Sequence, residues 1–210
     1  MMTLYDCSTA PSPRRARIML AEKGIAHETV QVDLRNKEQM SESFRAINPH
    51  CTVPALHTEE GLLLTDNAAI AAYLEARFPE PPLLGVTPAD KAEIASWHWR
   101  VEFEGFLAVG EALRNSSPGM VNRALPGPHD YAQIPALAER GLLRTQHFFD
   151  MLNQHLANKT YIAANQFSVA DITAVVAVDF ARIVKIKPTD QHPHLLRWRE
   201  TMALRPSFSL

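Results

Sequence analysis

The chain has 210 residues, 46% hydrophobic and 21% charged, a composition that is typical of compact globular proteins and excludes a long disordered tail. Its 21 basic and 23 acidic residues give a net charge of −2, which offers nucleic acid no broad attraction. Because the first residues lack a secretory signal and apolar runs such as Ile172 to Val178 are far below the roughly 20 residues that span a bilayer, we expect a cytoplasmic protein without a membrane partner.

Short strands and helices alternate in the first part of the chain. Proline and glycine separate the segments, and the apolar spacing changes between period two and a helical period. The predicted elements are a strand over Thr3–Cys7, a helix through Ala16–Leu20, strands over His27–Leu34, Thr52–His57 and Leu62–Thr65, and a helix from Asp66 to Phe78. This βαβ-ββα order predicts an α/β domain with a mixed sheet.

A proline-rich stretch over 79–88 lacks helical periodicity and predicts a domain boundary. We therefore expect a first domain over 1–80, a linker over 81–88 and a second domain over 89–210. The second domain is expected to be an all-α helical bundle.

Helical periodicity supports that expectation. Apolar stripes predict helices over 89–114 and 134–156. A capping box formed by Ser168 and Asp171 then predicts the start of a nearly all-apolar helix, which we place in the domain core. The first helix carries four aromatic residues, Trp97, Trp99, Phe103 and Phe106. We expect most of them in the core as well, with the lining of an apolar pocket as the alternative.

Four ordered segments carry a family resemblance. They are RRARIMLAEKGI from Arg14, NPHCTVPAL from Asn48, LLLTDNAAIAAYLE from Leu62 and FSVADITA from Phe167. Together they resemble the cytosolic glutathione S-transferase family over essentially the whole chain. The resemblance implies a thioredoxin-like first domain that binds glutathione, a helical domain that holds a small apolar electrophile, and a homodimer.

The segment around Val53 and Pro54 is the predicted contact with the backbone of glutathione. A cis bond before proline turns the main chain sharply and can present the N–H and C=O of the preceding residue to a peptide. The resemblance implies this cis bond and an antiparallel pairing with the cysteinyl part of glutathione. We assign substrate binding to Thr52, Val53 and Pro54, with a plain edge strand beginning at Pro54 as the alternative.

Asp66 and Asn67 stand at the predicted start of a helix, whose free N–H groups attract a carboxylate. The resembling family usually has Glu or Gln followed by Ser at these positions. We expect Asp66 to pair with the γ-glutamyl ammonium and Asn67 to bind the γ-glutamyl carboxylate. The alternative for Asp66 is a simple helix N-cap, which is compatible with that contact.

The residue that activates the thiol is predicted in the loop CSTAPSPRRA. Counted back from the helix, Ala10 falls where some family members carry Ser, and Ser12 falls where others carry Cys. Ser12 before Pro13 also has the pattern of an N-cap at a helix start. We predict Ser12 as the catalytic residue, with Thr9 or Ser8 as alternatives.

Two cysteines, Cys7 and Cys51, do not form a CxxC motif, and no histidine pattern has metal-ligand spacing. We therefore predict no metal. Cys7 is interpreted as a strand-end thiol, although a mixed disulfide with glutathione would make the protein a thiol reductase.

These residues predict a glutathione transferase of detoxification type that uses glutathione as co-substrate and conjugates its thiolate to an apolar electrophile. One alternative keeps glutathione but catalyses isomerisation or disulfide reduction. The other is a non-catalytic, dimeric interaction protein of the same fold.

Overall fold

A computed structural model describes the whole chain, from Met1 to Leu210. The chain forms two compact units, one of Met1–Pro81 with Leu125–Asp130 and the other of Pro82–Ala124 with Tyr131–Leu210. The residue limits of the domains and linker given above stay a prediction. None of the helices combines the length and the apolar character that crossing a membrane requires.

The first unit is built on a four-stranded mixed sheet in the order β2-β1-β3-β4. β1 pairs parallel with β2 and antiparallel with β3, and β3 pairs antiparallel with β4. The predicted α/β fold class of this unit is therefore confirmed. The strands are β1 (Met2–Asp6), β2 (His27–Gln31), β3 (Ala55–His57) and β4 (Leu63–Leu64).

Three helices complete the unit: α1 (Pro11–Glu22), α2 (Glu42–Ile47) and α3 (Asn67–Arg77). Side chains from the central strands and from α1 and α3 are fully buried, because both helices turn their apolar faces inward. These core residues are Leu4, Ile18, Leu20, Leu56, Ile70 and Leu74.

Three strands are shorter than predicted, and β4 keeps only Leu63–Leu64 of the predicted Leu62–Thr65. β2 ends at Gln31 because β1 ends at Asp6, and the last bond between the two segments runs from the Val32 N–H to the Asp6 carbonyl at 2.7 Å. β3 begins only at Ala55, since the Thr52 carbonyl accepts from Asn48 Nδ2 at 2.8 Å instead of joining the ladder.

Lys23, which follows α1, links the end of that helix to α3 and to the segment after α3. Its ammonium donates to the carbonyls of Phe78 at 2.7 Å and Pro81 at 2.8 Å, and it pairs with Glu75 at 2.8 Å. The side chain is only 2% exposed. A buried ammonium is tolerated here because a carboxylate and two carbonyls replace its water.

The second unit is all helical, as predicted. Its longest helix is continuous from Pro88 to Ser116 and is described in three parts, because a π-helical stretch over Val101–Phe106 separates α4 from α5. The helices are α4 (Pro88–Arg100), α5 (Leu107–Ser116), α6 (Pro135–His155), α7 (Val169–Phe180) and α8 (Pro193–Ala203).

The expectation that most aromatic residues of the first of these helices lie in the core is wrong. Trp99 is 64% exposed and Phe103 is 48% exposed, and Trp97 and Phe106 are only partly buried. The buried face carries smaller aliphatic side chains at seven-residue spacing, Ile94, Val101 and Ala108. Periodicity identified the stripes but not which of them faces the core.

Helix α7 lies at the centre of this unit, with every residue from Val169 to Val178 buried. The predicted capping box of Ser168 and Asp171 begins it. The Asp171 carboxylate accepts from the Ile162 and Ser168 N–H groups, the Ser168 hydroxyl and the Trp198 indole, all within 3.3 Å. One carboxylate thus joins the start of α7, the preceding turn and α8.

Helices α5 and α6 approach closely at Gly141. An added Cβ would lie 2.6 Å from Ala112 N and 2.8 Å from Ala108 O, both main-chain atoms. We therefore expect Gly141→Ala to lower the free energy of unfolding by about 1–3 kcal/mol. In the control Gly110→Ala, the Cβ meets nothing within 4 Å. The better helix propensity of alanine should therefore raise the free energy of unfolding by up to about 1 kcal/mol. Urea unfolding measures both; equal effects would contradict the close approach.

Burial raises the pKa of Asp171 to about 6 from 3.8. Between these values the folded chain holds a proton that the unfolded chain has released, so the contribution of Asp171 to stability falls as pH rises from about 4 to 6. Asp171→Asn cannot titrate. The stability of the wild type relative to this variant should fall by up to roughly 3 kcal/mol across that window in urea unfolding at several pH values. A difference independent of pH would contradict the shift.

Candidate functional site

The candidate site lies at one end of the sheet of the first unit. β1 and β3 pair with Tyr5 opposite Ala55, so the loop after β1 and the segment before β3 emerge at the same end. Val53 belongs to a small buried cluster with Val32 and Phe44, and Cys7 packs against it. The structure thus brings the predicted loop and the predicted glutathione segment together.

The peptide bond between Val53 and Pro54 is cis, as the resemblance implies. The N–H and C=O of Val53 make no hydrogen bond within the chain, since neither belongs to the sheet ladder or to a turn. Val53 is nevertheless buried, with 9% of its surface exposed. Main-chain groups in such a place favour a partner that supplies the missing hydrogen bonds.

Cys51 precedes this segment in the left-handed region, with φ at 54°. Its N–H donates to the Asn48 carbonyl at 3.0 Å, and its side chain is buried. The family that the sequence resembles usually has glycine at this position, and glycine adopts this φ without steric cost. Cys51 is therefore a packing residue in a tight turn.

The prediction that Ser12 is the N-cap of α1 is wrong. Ala10 occupies that position and caps with no side chain, because Pro11 as well as Pro13 fits the first turn and the helix begins earlier. Ser12 is the second helical residue. Its hydroxyl oxygen accepts from Arg15 Nη2 at 3.0 Å and from Asn67 Nδ2 at 3.1 Å.

Asp66 and Asn67 begin α3, as predicted. Asp66 is the N-cap and accepts the Ala69 N–H at 2.8 Å. Asn67 is buried, and its Nδ2 also lies 3.2 Å from the Ser12 carbonyl. Because that carbonyl can only accept, the bond fixes the amide orientation and leaves Asn67 Oδ1 buried without a partner. The side-chain donor of Asn67 is thus used on Ser12.

An ion pair holds the loop between β1 and α1 in place. Arg17 binds the buried Asp6 carboxylate at 2.5 Å and also donates to the Cys7 and Ser8 carbonyls. Gln31 donates to the other Asp6 oxygen at 3.0 Å and accepts the Ser8 N–H at 3.0 Å. These bonds fix the backbone that leads to Ser12, and sequence analysis missed them because nothing local links Asp6 with Arg17 and Gln31.

The alternative hydroxyls lie in the exposed part of the loop. Thr9 Oγ1 is 3.6 Å from the Cys7 sulfur, and the Ser8 side chain is exposed. Cys7 itself is half-buried, and both cysteines are free thiols. No three or more Asp, Glu, His or Cys side chains come together in a way that could hold a metal ion.

Ser12 differs from these hydroxyls in its chemistry. A hydroxyl has two acceptor lone pairs and one proton. Arg15 and Asn67 use the two lone pairs, and the proton has no acceptor within the chain. The Ser12 hydroxyl can therefore donate a hydrogen bond to an anion. The Arg15 guanidinium is hydrogen-bonded to the same hydroxyl oxygen.

Comparison with known proteins gives consistent matches over both units. The sequence profile of the glutathione S-transferase N-terminal domain matches residues 9–77, and that of the C-terminal domain matches residues 124–206. Glutathione S-transferase 2 of Saccharomyces cerevisiae is 33% identical over 98% of this chain and 87% of its own.

Two solved structures are similar over nearly their full lengths. A glutathione S-transferase domain-containing protein of Marinobacter aquaeolei has a TM-score of 0.88 at 35% identity, with 98% of each chain covered. Gtt2 from Saccharomyces cerevisiae has a TM-score of 0.89 at 31% identity, covering 99% of this chain and 98% of that one.

The ion pair under the loop generates a prediction. Asp6→Asn leaves the half-buried Arg17 guanidinium without its carboxylate, so we expect a loss of up to about 3–5 kcal/mol in the free energy of unfolding. The double variant Asp6→Asn/Arg17→Met removes the unpaired charge and should recover part of that loss. Urea unfolding of four proteins, the wild type, Asp6→Asn, Arg17→Met and the double variant, measures this. Additive losses would show that the pair does not act as a unit.

Proposed function

The chain belongs to the glutathione S-transferase family, and we propose that it binds glutathione in its first unit, holds it as the thiolate and conjugates it to a small apolar electrophile. The observation that carries the proposal is the unpaired main chain of Val53 at the end of the sheet where the Ser12 hydroxyl and the start of α3 also lie. Val53 matches the main chain of the cysteinyl residue, Ser12 matches its sulfur, and the start of α3 matches the γ-glutamyl end.

The cysteinyl part of glutathione is proposed to pair with Val53. The N–H and C=O of Val53 supply one donor and one acceptor, as one residue of an antiparallel strand does. Thr52 and Pro54 lie on either side of this contact. Recognition through the main chain suits a peptide ligand, since it satisfies groups that would otherwise be poorly solvated.

The γ-glutamyl end is proposed to bind at the start of α3. Asp66 is exposed and uses one carboxylate oxygen, Oδ1, for the Ala69 N–H. The carboxylate therefore keeps an oxygen for the ligand ammonium. The ligand carboxylate meets the N–H groups of the first turn, beginning with that of Asn67, where the helix dipole favours an anion. Asn67 acts through its main chain, because its amide donor is bonded to Ser12.

Ser12 is proposed to donate its proton to the glutathione sulfur. Lowering a thiol pKa by two units from about 8.5 requires about 2.7 kcal/mol of preferential stabilisation of the thiolate. A hydrogen bond to a charged group contributes about 1.5–3 kcal/mol, and the start of α1 adds about 0.3–1 kcal/mol. One hydroxyl and one helix end therefore suffice. Thr9 is retained as the second candidate.

We also propose the homodimer and the cytoplasmic detoxification role that the resemblance implies. Trp99, Phe103 and Leu107 lie four residues apart along one helix and are all exposed, Trp99 to 64%. Trp99 and Phe103 stack with ring centroids 5.7 Å apart. An exposed aromatic stripe of this kind is typical of a surface that a partner covers.

Ser12→Ala tests the proposed activation. The pKa of bound glutathione, followed by the ultraviolet absorbance of its thiolate, should rise by about one to two units, and kcat/KM with a chloronitrobenzene at neutral pH should fall about tenfold or more. Glutathione affinity below the thiol pKa should change little.

Ser8→Ala is the matched control, because it removes an exposed hydroxyl from the same loop. Thr9→Ala separates the two candidates: a raised thiol pKa in this variant and not in Ser12→Ala would assign the role to Thr9. Cys7→Ser should keep conjugation, and loss of turnover there would favour chemistry at Cys7.

A further inference from the structure

Arg114 is a half-buried cation of the helical unit that no acidic side chain neutralises. It lies in the last turn of α5, and its Nη1 donates to the Arg123 carbonyl at 2.8 Å. Burial and the positive charge of Arg123 lower its pKa. The nearest acid on the same helix face, Glu111, is already bound by Arg140 at 2.8 Å and Arg144 at 3.7 Å.

The segments around Arg114 are held in place by hydrogen bonds. Gln133 Nε2 donates to the Arg114 and Ser117 carbonyls, both at 2.8 Å, and the Ile134 N–H donates to Asn115 Oδ1 at 2.9 Å. Tyr131 bridges the residues on either side of Arg123 through main-chain bonds. The guanidinium therefore sits in a preformed frame.

Apolar side chains of the same segments are exposed. Val121 is 60% exposed, Ile134 52% and Tyr131 47%. We call Arg114 with these three residues the Arg114 site. Hydrogen bonds join their segments to Arg114 and its neighbours. A half-buried cation and exposed apolar side chains on such joined segments can offer charge and apolar contact to the same ligand.

We propose that the Arg114 site binds an apolar, typically aromatic, carboxylic acid, whose carboxylate contacts the guanidinium and whose apolar part contacts the exposed side chains. The inference goes beyond the proposed function and does not depend on it. A guanidinium binds a carboxylate through parallel charge-assisted hydrogen bonds, and only one of its N–H groups is used within the chain.

A purely structural role for Arg114, fixing the turn at Arg123, predicts no preference between charged and neutral ligands. The test uses two probes of equal shape, 2-naphthoate and 2-naphthamide, titrated calorimetrically into the full chain. We expect the wild type to bind naphthoate about tenfold more tightly, and the preference to shrink at high salt.

Arg114→Gln removes the charge and keeps an amide donor, so it should abolish the preference, whereas Arg114→Lys should restore part of it. Arg182→Gln is the matched control, because Arg182 is an exposed arginine of the same unit, and it should keep the preference. Equal affinities in the wild type, no binding of either probe, or an unchanged preference in Arg114→Gln would each overturn the inference.

Glutathione is titrated into the same samples. Absent glutathione binding with a preserved naphthoate preference would refute the proposed function and not the Arg114 site. Normal glutathione binding without the preference would do the reverse. If Arg114→Gln does not fold, Arg114→Lys and the salt dependence of the wild type still decide the matter.

Discussion

The pairing of β1 with β3 stops at Tyr5 and Ala55, and the candidate site depends on that stop. Had the ladder continued, the main chain of Val53 would be used up within the sheet. Instead Asn48 takes the Thr52 carbonyl, and the chain after β1 is drawn toward Arg17. The sheet therefore ends at the unpaired N–H and C=O of Val53, beside a loop that hydrogen bonds hold in place.

A related logic organises the helical unit around Asp171. This carboxylate is buried, yet four donors from three parts of the chain converge on it. A buried acceptor with so many donors can be satisfied in only one arrangement. Because burying this carboxylate without its donors would be costly, Asp171 fixes how the start of α7 and the indole of Trp198 meet.

Local signals allowed much of the architecture to be predicted from sequence. The caps at Asp66 and Ser168, the order of strands and helices along the chain and the cis bond at Pro54 follow from residues within a few positions of each other or from the family motif. The predicted cap at Ser12 was wrong, because two prolines flank Ser12 and either can begin a helix. The contact of Ser12 with Asn67 spans 55 positions, and no local pattern encodes it. Ion pairing of Arg17 with Asp6 was missed for the same reason.

Lys23 has a practical consequence for dissecting the protein. One of its acceptors is the Pro81 carbonyl, the last residue of the continuous part of the first unit. A separately expressed fragment ending at residue 80 would lack that acceptor and would carry a new terminal carboxylate close to the ammonium. The fragment to express should extend past Pro81, because an earlier terminus would change the charges and acceptors around the Lys23 ammonium.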